Sequence, residues 1–258
     1  MSASRDQVAG VRARPAAARL RAGGEGIAAV EAFSRGQALD RDWMGWGALR
    51  VLSRQDWAPG AIRDDGRVAN MERLLLVLQG ALDADCGALG RHRVDAGGAL
   101  WIGCGHGLES RLANASGVAP LRLLECWLQP SRVNATPAVA LLDLGAGKGP
   151  GGHTGAGTGD HWSVLPPGGA AGDARTAPGV QWMLARATPG DGAIALPRSG
   201  DAARYWLEVL EGEATATGDG GRLRAGDGLA WMAGAPAAPA AIAAAGSGLH
   251  FLLFALPA

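Results

Sequence analysis

The sequence predicts an all-β protein built from two similar domains. Three observations carry that expectation: a long-period internal repeat, an abundance of turn-forming residues, and apolar runs of strand length. Val77-Leu78-Gln79-Gly80-Ala81 followed by Ala96-Gly97-Gly98-Ala99-Leu100-Trp101 returns downstream as Val209-Leu210-Glu211-Gly212-Glu213 followed by Ala225-Gly226-Asp227-Gly228-Leu229-Ala230-Trp231. Each copy reads as an apolar strand ending in glycine, a polar hairpin, a Gly-rich turn and a second short apolar strand. A period this long marks two related domains, not a stacked array. A strand-turn-strand unit makes each domain a small β-barrel or sandwich. The 42 glycines and 14 prolines among 258 residues suit many tight turns, because glycine reaches positive φ without a steric cost.

Taken in order, residues 1–26 hold Arg5, Arg12, Arg14, Arg19 and Arg21 among Ala and Gly. No apolar core of a secretory signal follows, so this stretch is expected to be a flexible N-terminus, with a transit peptide as the other reading. Ordered structure is expected from Ile27, and the first domain over 27–144. Trp43 to Leu52 runs into a strand, and Trp57-Ala58-Pro59-Gly60 closes a turn. Glu72 to Leu82 is a strong strand whose Leu74-Leu75-Leu76-Val77-Leu78 run lacks alternation, which implies burial on both faces. Leu100-Trp101-Ile102 and Leu121 to Leu128 are further strands. Residues 145–171 are Gly-rich and read as a linker. Within it, Gly145 to Lys148 lacks the GK[ST] ending of a phosphate loop. The second domain is expected over 172–258, with strands at Val180–Leu184, Tyr205–Glu211, Gly228–Met232 and Leu249–Leu256.

Charge and cysteine content exclude several functions. Lys plus Arg and Asp plus Glu each total 24, and no basic run stands out, so neither nucleic acid nor an anionic membrane is an expected partner. No run approaches the ~18 apolar residues of a membrane span. Cys86, Cys104 and Cys126 form no CxxC pair, which argues against a disulfide framework or a zinc ribbon. Reduced thiols in a soluble, cytoplasmic, monomeric protein is the resulting expectation.

Several segments in one order resemble the pirin family of bicupins, in the bacterial branch related to quercetin 2,3-dioxygenase. They are Met44-Gly45-Trp46-Gly47-Ala48-Leu49-Arg50-Val51, Ala58-Pro59-Gly60, Asn70-Met71-Glu72, Val77 to Leu82, Gly105-His106-Gly107-Leu108, Asn114-Ala115-Ser116 and Trp127-Leu128-Gln129-Pro130. Asp227 to Trp231 and Leu252 to Pro257 are similar to the second cupin of the family. The resemblance implies two tandem jelly-roll barrels. It also implies iron or another divalent metal in the first, held by a His-x-His pair and a later His-x-Glu pair. Counted from the flanking segments, those positions fall on Gly66 and Val68, then on Ser110 and Leu112. None carries the imidazole or carboxylate such a site needs, so no metal or other cofactor is expected.

His106 and Glu109, on the same Gly-rich rim, are the candidates for a rebuilt site. His92, His153 and His161 read as loop or linker residues, and His250 as a strand histidine with its ring satisfied. Asp83 and Asp85 share a strand face as exposed carboxylates. Nothing resembles a GxSxG elbow or an HExxH helix. The nine tryptophans fill cores or line a cavity for a small aromatic ligand in the first barrel; the sequence leaves both open. Two functions follow. One is a bicupin with a degenerate metal site, acting as a small-molecule-binding or regulatory module. The alternative is a metal-dependent quercetin 2,3-dioxygenase-type oxidoreductase.

Overall fold

The computed structural model of the chain describes residues 10–143, 162–165, 181–198, 200 and 202–258. Its strands up to the middle of the chain are β1 (Val11–Arg14), β2 (Leu20–Gly24), β3 (Ile27–Glu31), β4 (Leu49–Trp57), β5 (Ile62–Val68), β6 (Glu72–Gln79), β7 (Ala81–Asp85), β8 (Arg91–Asp95), β9 (Gly98–Gly103), β10 (Leu108–Asn114), β11 (Leu121–Leu128) and β12 (Ala138–Asp143). The remainder are β13 (Trp162–Leu165), β14 (Gln181–Ala187), β15 (Ala193–Ala195), β16 (Arg204–Ala216), β17 (Gly221–Arg224), β18 (Gly228–Met232) and β19 (Ala241–Leu256). Among the described residues the only helical pieces are single 3₁₀ turns. The described residues form an all-β fold.

The first unit packs a seven-stranded sheet, in the order β12-β9-β6-β11-β4-β3-β2, with a four-stranded sheet, β5-β10-β7-β8. Its apolar core joins Trp57, Leu75, Val77, Leu100, Ile102 and Leu123 of the large sheet to Leu82, Ala84, Val94 and Leu112 of the small one. The unbroken apolar text of β6 is explained by burial of every residue from Glu72 to Val77. The second unit is one eight-stranded sheet, β1-β18-β16-β19-β14-β13, to which β15 adds on β19 and β17 on β16. Its core gathers Met183, Tyr205, Leu207, Val209, Leu229, Trp231, Phe251 and Leu253.

The sequence repeat is a structural repeat. In the first copy the Gly97 amide donates to Val77 O at 2.9 Å and the Ala96 amide to Gly80 O at 3.0 Å. In the second, Gly226 donates to Val209 O at 2.8 Å and Ala225 to Gly212 O at 3.0 Å. The strand-ending glycines share one conformation, φ +79° at Gly80 and +83° at Gly212. A Cβ on Gly80 would lie 2.7 Å from Pro120 O, and one on Gly212 would land on Gly248 O. Both glycines therefore answer to left-handed backbone and to a neighbouring carbonyl. Gly97 has the same sign of φ but open space around it. Gly212→Ala is expected to destabilise by more than 2 kcal/mol, and Gly97→Ala by only the left-handed penalty of about 1 kcal/mol. Equilibrium urea unfolding of the two variants measures the difference.

Two boundaries differ from the sequence expectation. The N-terminal stretch is not a flexible leader from residue 10 onward. β1 pairs antiparallel with β18, Val11 opposite Trp231 and Arg14 opposite Gly228, so the start of the chain extends the second unit's sheet. Arg19 then inserts its guanidinium, with Nη1 and Nη2 donating to Glu208 Oε1 and Oε2 at 2.7 and 2.6 Å, both side chains buried. An otherwise bare strand edge and a buried carboxylate order this segment, and neither leaves an apolar pattern in it. The second correction lies in the expected linker 145–171. There Trp162–Leu165 form β13 on β14; the rest of that stretch, with Lys148, His153 and His161, lies outside the described residues.

Candidate functional site

A charged network is embedded in the largely apolar interior of the first unit. β5, β6, β10 and β11 alternate their side chains, so Arg63 and Asp65, Arg73, Ser110 and Glu125 enter the same space, joined by Gln55 and Ser53 of β4. Glu125 is at its centre, wholly buried within the apolar text of β11. Its Oε1 accepts from Arg73 Nη2 at 2.7 Å, Trp127 Nε1 at 2.8 Å and Arg63 Nη2 at 3.0 Å. Its Oε2 accepts from Gln55 Nε2 at 2.8 Å and Arg35 Nη1 at 3.2 Å. Burial works against the charge of Glu125, but Arg63, Arg73 and Arg35 outweigh it and hold the carboxyl well below its ordinary range.

Arg73 is the matching cation, fully buried. It donates to Asp65 Oδ2 at 2.7 Å and, through Nη1, to Ser110 Oγ at 3.0 Å. Burial disfavours its charge, yet Glu125 and Asp65 together raise its pKa above the ordinary arginine value. Arg63 places Nε 2.6 Å from Asp65 Oδ1 and donates from Nη1 to Gln55 Oε1 at 2.9 Å. Gln55 Oε1 also accepts from Trp57 Nε1 at 3.0 Å, and Gln55 Nε2 donates to Ser53 Oγ at 3.0 Å. Ser53 in turn donates to Glu31 Oε1 at 2.8 Å. Glu31 Oε2 is buried without a hydrogen-bond partner, and burial raises the pKa of this acid despite Arg35. Three carboxylates thus face three guanidiniums, in layers capped by indoles. Trp127 has Arg73 at 5.0 Å and Arg35 at 5.1 Å from its ring centroid, and Trp57 has Arg63 at 5.3 Å. The side chains of Arg35 and Arg63 are 28 % and 20 % exposed, so the network opens to solvent on their side.

The four positions inferred from the resemblance lie on the paired strands β5 and β10. A β-bulge sets Asp65 and Gly66 opposite Ser110 alone. Gly66 takes φ +59° at an exposed turn of the strand, and Asp65 supplies the inward side chain. Val68 and Leu112 pack in the apolar core. Ser110 alone of the four joins the charged network. His106 and Glu109 do not converge on this space. His106 is exposed and its carbonyl accepts from Arg67, while Glu109 points to the outer face beside Arg67. Among the described residues no three His, Cys, Asp or Glu side chains are grouped to hold a metal ion. Cys86 and Cys104 are core residues whose thiols burial pushes up to about 11, far from nucleophilic use.

Asp83 and Asp85 pair with Arg93 and Arg91 on an exposed face, and His92 Nε2 lies 3.0 Å from Leu89 O. His250 differs from expectation: it is buried on β19 with Nε2 unpartnered. Arg63, Asp65, Arg73, Glu125 and Gln55 were not identified from sequence. The available signal was a charge inside an apolar strand, as in Leu124-Glu125-Cys126 and Arg73-Leu74-Leu75.

No known family model matches the chain. The pirin-like protein YhaK of Escherichia coli K12 is 28% identical over 116 residues, 45% of this chain and 50% of that protein. The chain thus spans about half the length of the curated relatives it matches. Among solved structures, the bacterial pirin YhhW of Escherichia coli, in complex with nickel(II), superposes with a TM-score of 0.78 at 21% identity, covering 96% of this chain and 99% of that one. Quercetin 2,3-dioxygenase from Acinetobacter baumannii gives 0.65 at 13% identity, over 96% and 79%. The chain has the bicupin fold of the pirins.

Proposed function

We propose that this chain is a pirin-like bicupin whose first barrel has exchanged metal ligation for an internal arginine–carboxylate network. It acts as a small-molecule-binding or regulatory module. The observation that carries the reading is Arg73, a buried guanidinium bonded to Asp65, Ser110 and Glu125 where the inferred ligand strands meet. The donor set does not fit a divalent metal. Gly66, Val68 and Leu112 offer no lone pair, the oxygens of Asp65 and Glu125 are committed to arginines, and two guanidiniums in one space repel a dication.

The opening beside Arg35, Arg63 and the half-buried Trp127 suits a small aromatic ligand bearing an anionic oxygen. It would stack on the indole and meet guanidinium at its rim. The second reading, a metal-dependent quercetin 2,3-dioxygenase, is favoured by the fold-level likeness to the Acinetobacter enzyme alone. Quercetin titrations with and without added iron, copper or nickel separate the two. Saturable tryptophan quenching with no metal-dependent loss of quercetin is the expected result. Metal-dependent turnover well above a metal-stripped control would overturn it.

A further inference from the structure

The second unit holds a polar groove that the first barrel's network does not account for. Strands β14, β19 and β16 set Arg186, His250 and Glu211 in register, Arg186 opposite His250 and Glu211 opposite His250 on the other side. Cross-strand partners share a face, and with strands about 4.8 Å apart the row is about 10 Å long. The three side chains line a groove of about 440 Å³ with Thr188, Asp191 and the Cβ-less Gly212. His250 is only 9 % exposed and its Nε2 has no hydrogen-bond partner. Burial, reinforced by Arg186, pushes its pKa down to about 4, so the ring is a neutral acceptor or donor at pH 7. Arg186 and Glu211 are exposed, and neither is ion-paired among the described residues. Asp191 is occupied by the Thr188 amide and hydroxyl at 2.6 and 2.9 Å.

An unsatisfied buried ring nitrogen is destabilising unless something completes it. The flanking charges decide what that is. A simple anion would face Glu211 and a simple cation would face Arg186. A metal finds only His250 and Glu211 uncommitted. We infer that this groove binds a small zwitterion of the amino-acid type, its carboxylate on Arg186, its ammonium on Glu211, and a polar side-chain group on His250 Nε2.

Isothermal titration with L-serine at pH 7.5, using the intact chain, tests this. Lactate lacks the ammonium and ethanolamine lacks the carboxylate, and each is expected to bind at least tenfold more weakly. R186Q and E211Q are expected to weaken L-serine about tenfold each. H250L is expected to weaken it while leaving the thermal midpoint unchanged or raised, since it removes a buried polar atom that lacks a partner; this separates loss of binding from loss of folding. Absence of saturable L-serine binding overturns the inference. So does equal binding of lactate and ethanolamine, or affinity that the three substitutions leave untouched.

Discussion

Arg73→Met is expected to cost about 3–5 kcal/mol of stability, the usual penalty for removing one partner of a buried ion pair. The loss is so large because Glu125 and Asp65 stay behind in the barrel with one guanidinium fewer. Methionine keeps much of the volume, so the effect reports charge more than a cavity. The pH profile should change with it. Glu125 is held ionised by its arginines, so its contribution to stability is complete above the ordinary carboxylate range. That contribution is lost as pH falls through its depressed folded-state pKa. Without Arg73 the burial effect gains ground, the folded-state pKa rises, and the acid limb of unfolding begins at higher pH. A second change in the same barrel, Glu125→Leu combined with Arg73→Met, is expected to recover much of the loss. Urea unfolding at pH 5 and pH 7.5 for the single and double variants makes the comparison. A single variant within 1 kcal/mol of the parent would mean that the network is not a structural unit.

Arg19→Met should be nearly as damaging, and its effect should fall on the second unit. Arg19 is a bidentate partner of Glu208, whose carboxylate also accepts, among the described residues, from Trp206 Nε1 at 3.2 Å. Both charges are buried, so the orphaned Glu208 is again worth about 3–5 kcal/mol. Trp206 sits beside the pair, so its fluorescence reports the change locally. Glu208→Leu added to Arg19→Met should restore most of the stability. If Arg19→Met instead behaves like a surface substitution, within about 0.5 kcal/mol, the N-terminal segment is not part of the second barrel's core.

The fold was legible because its signals are local and repeated. Gly80 and Gly212 mark the same left-handed strand ending, and the two Ala-Gly turns that follow carry the same amide-to-carbonyl bonds. The N-terminal strand was not legible. Val11-Arg12-Ala13-Arg14 sends only Val11 into the apolar core; the strand is ordered by the edge of β18, and Arg19 just beyond it by Glu208, which is 189 residues away in sequence. The candidate site was half legible. Flanking segments located the paired strands β5 and β10, on which Gly66, Val68, Ser110 and Leu112 lie. The inward-facing residue of β5 could not be counted, because a β-bulge brings Asp65 inward beside its neighbour Gly66. Arg73 and Glu125 come from strands that text alone reads as apolar core. Partner choice among Arg35, Arg63, Arg73, Asp65 and Glu125 is set by cross-strand register, which no single strand contains. His250 shows the reverse case, a residue read correctly as a strand histidine whose missing partner only the fold reveals.

In the proposed function an arginine–carboxylate network takes the place of a metal in the first barrel. Equilibrium dialysis of the purified full chain against nickel(II) and iron(II), followed by elemental analysis, tests that most directly. Well under one equivalent of retained metal per chain is expected, unchanged in His106→Ala and in Glu109→Gln. One tightly held equivalent per chain, lost on replacing Asp65 or Glu125 with its amide, would contradict it.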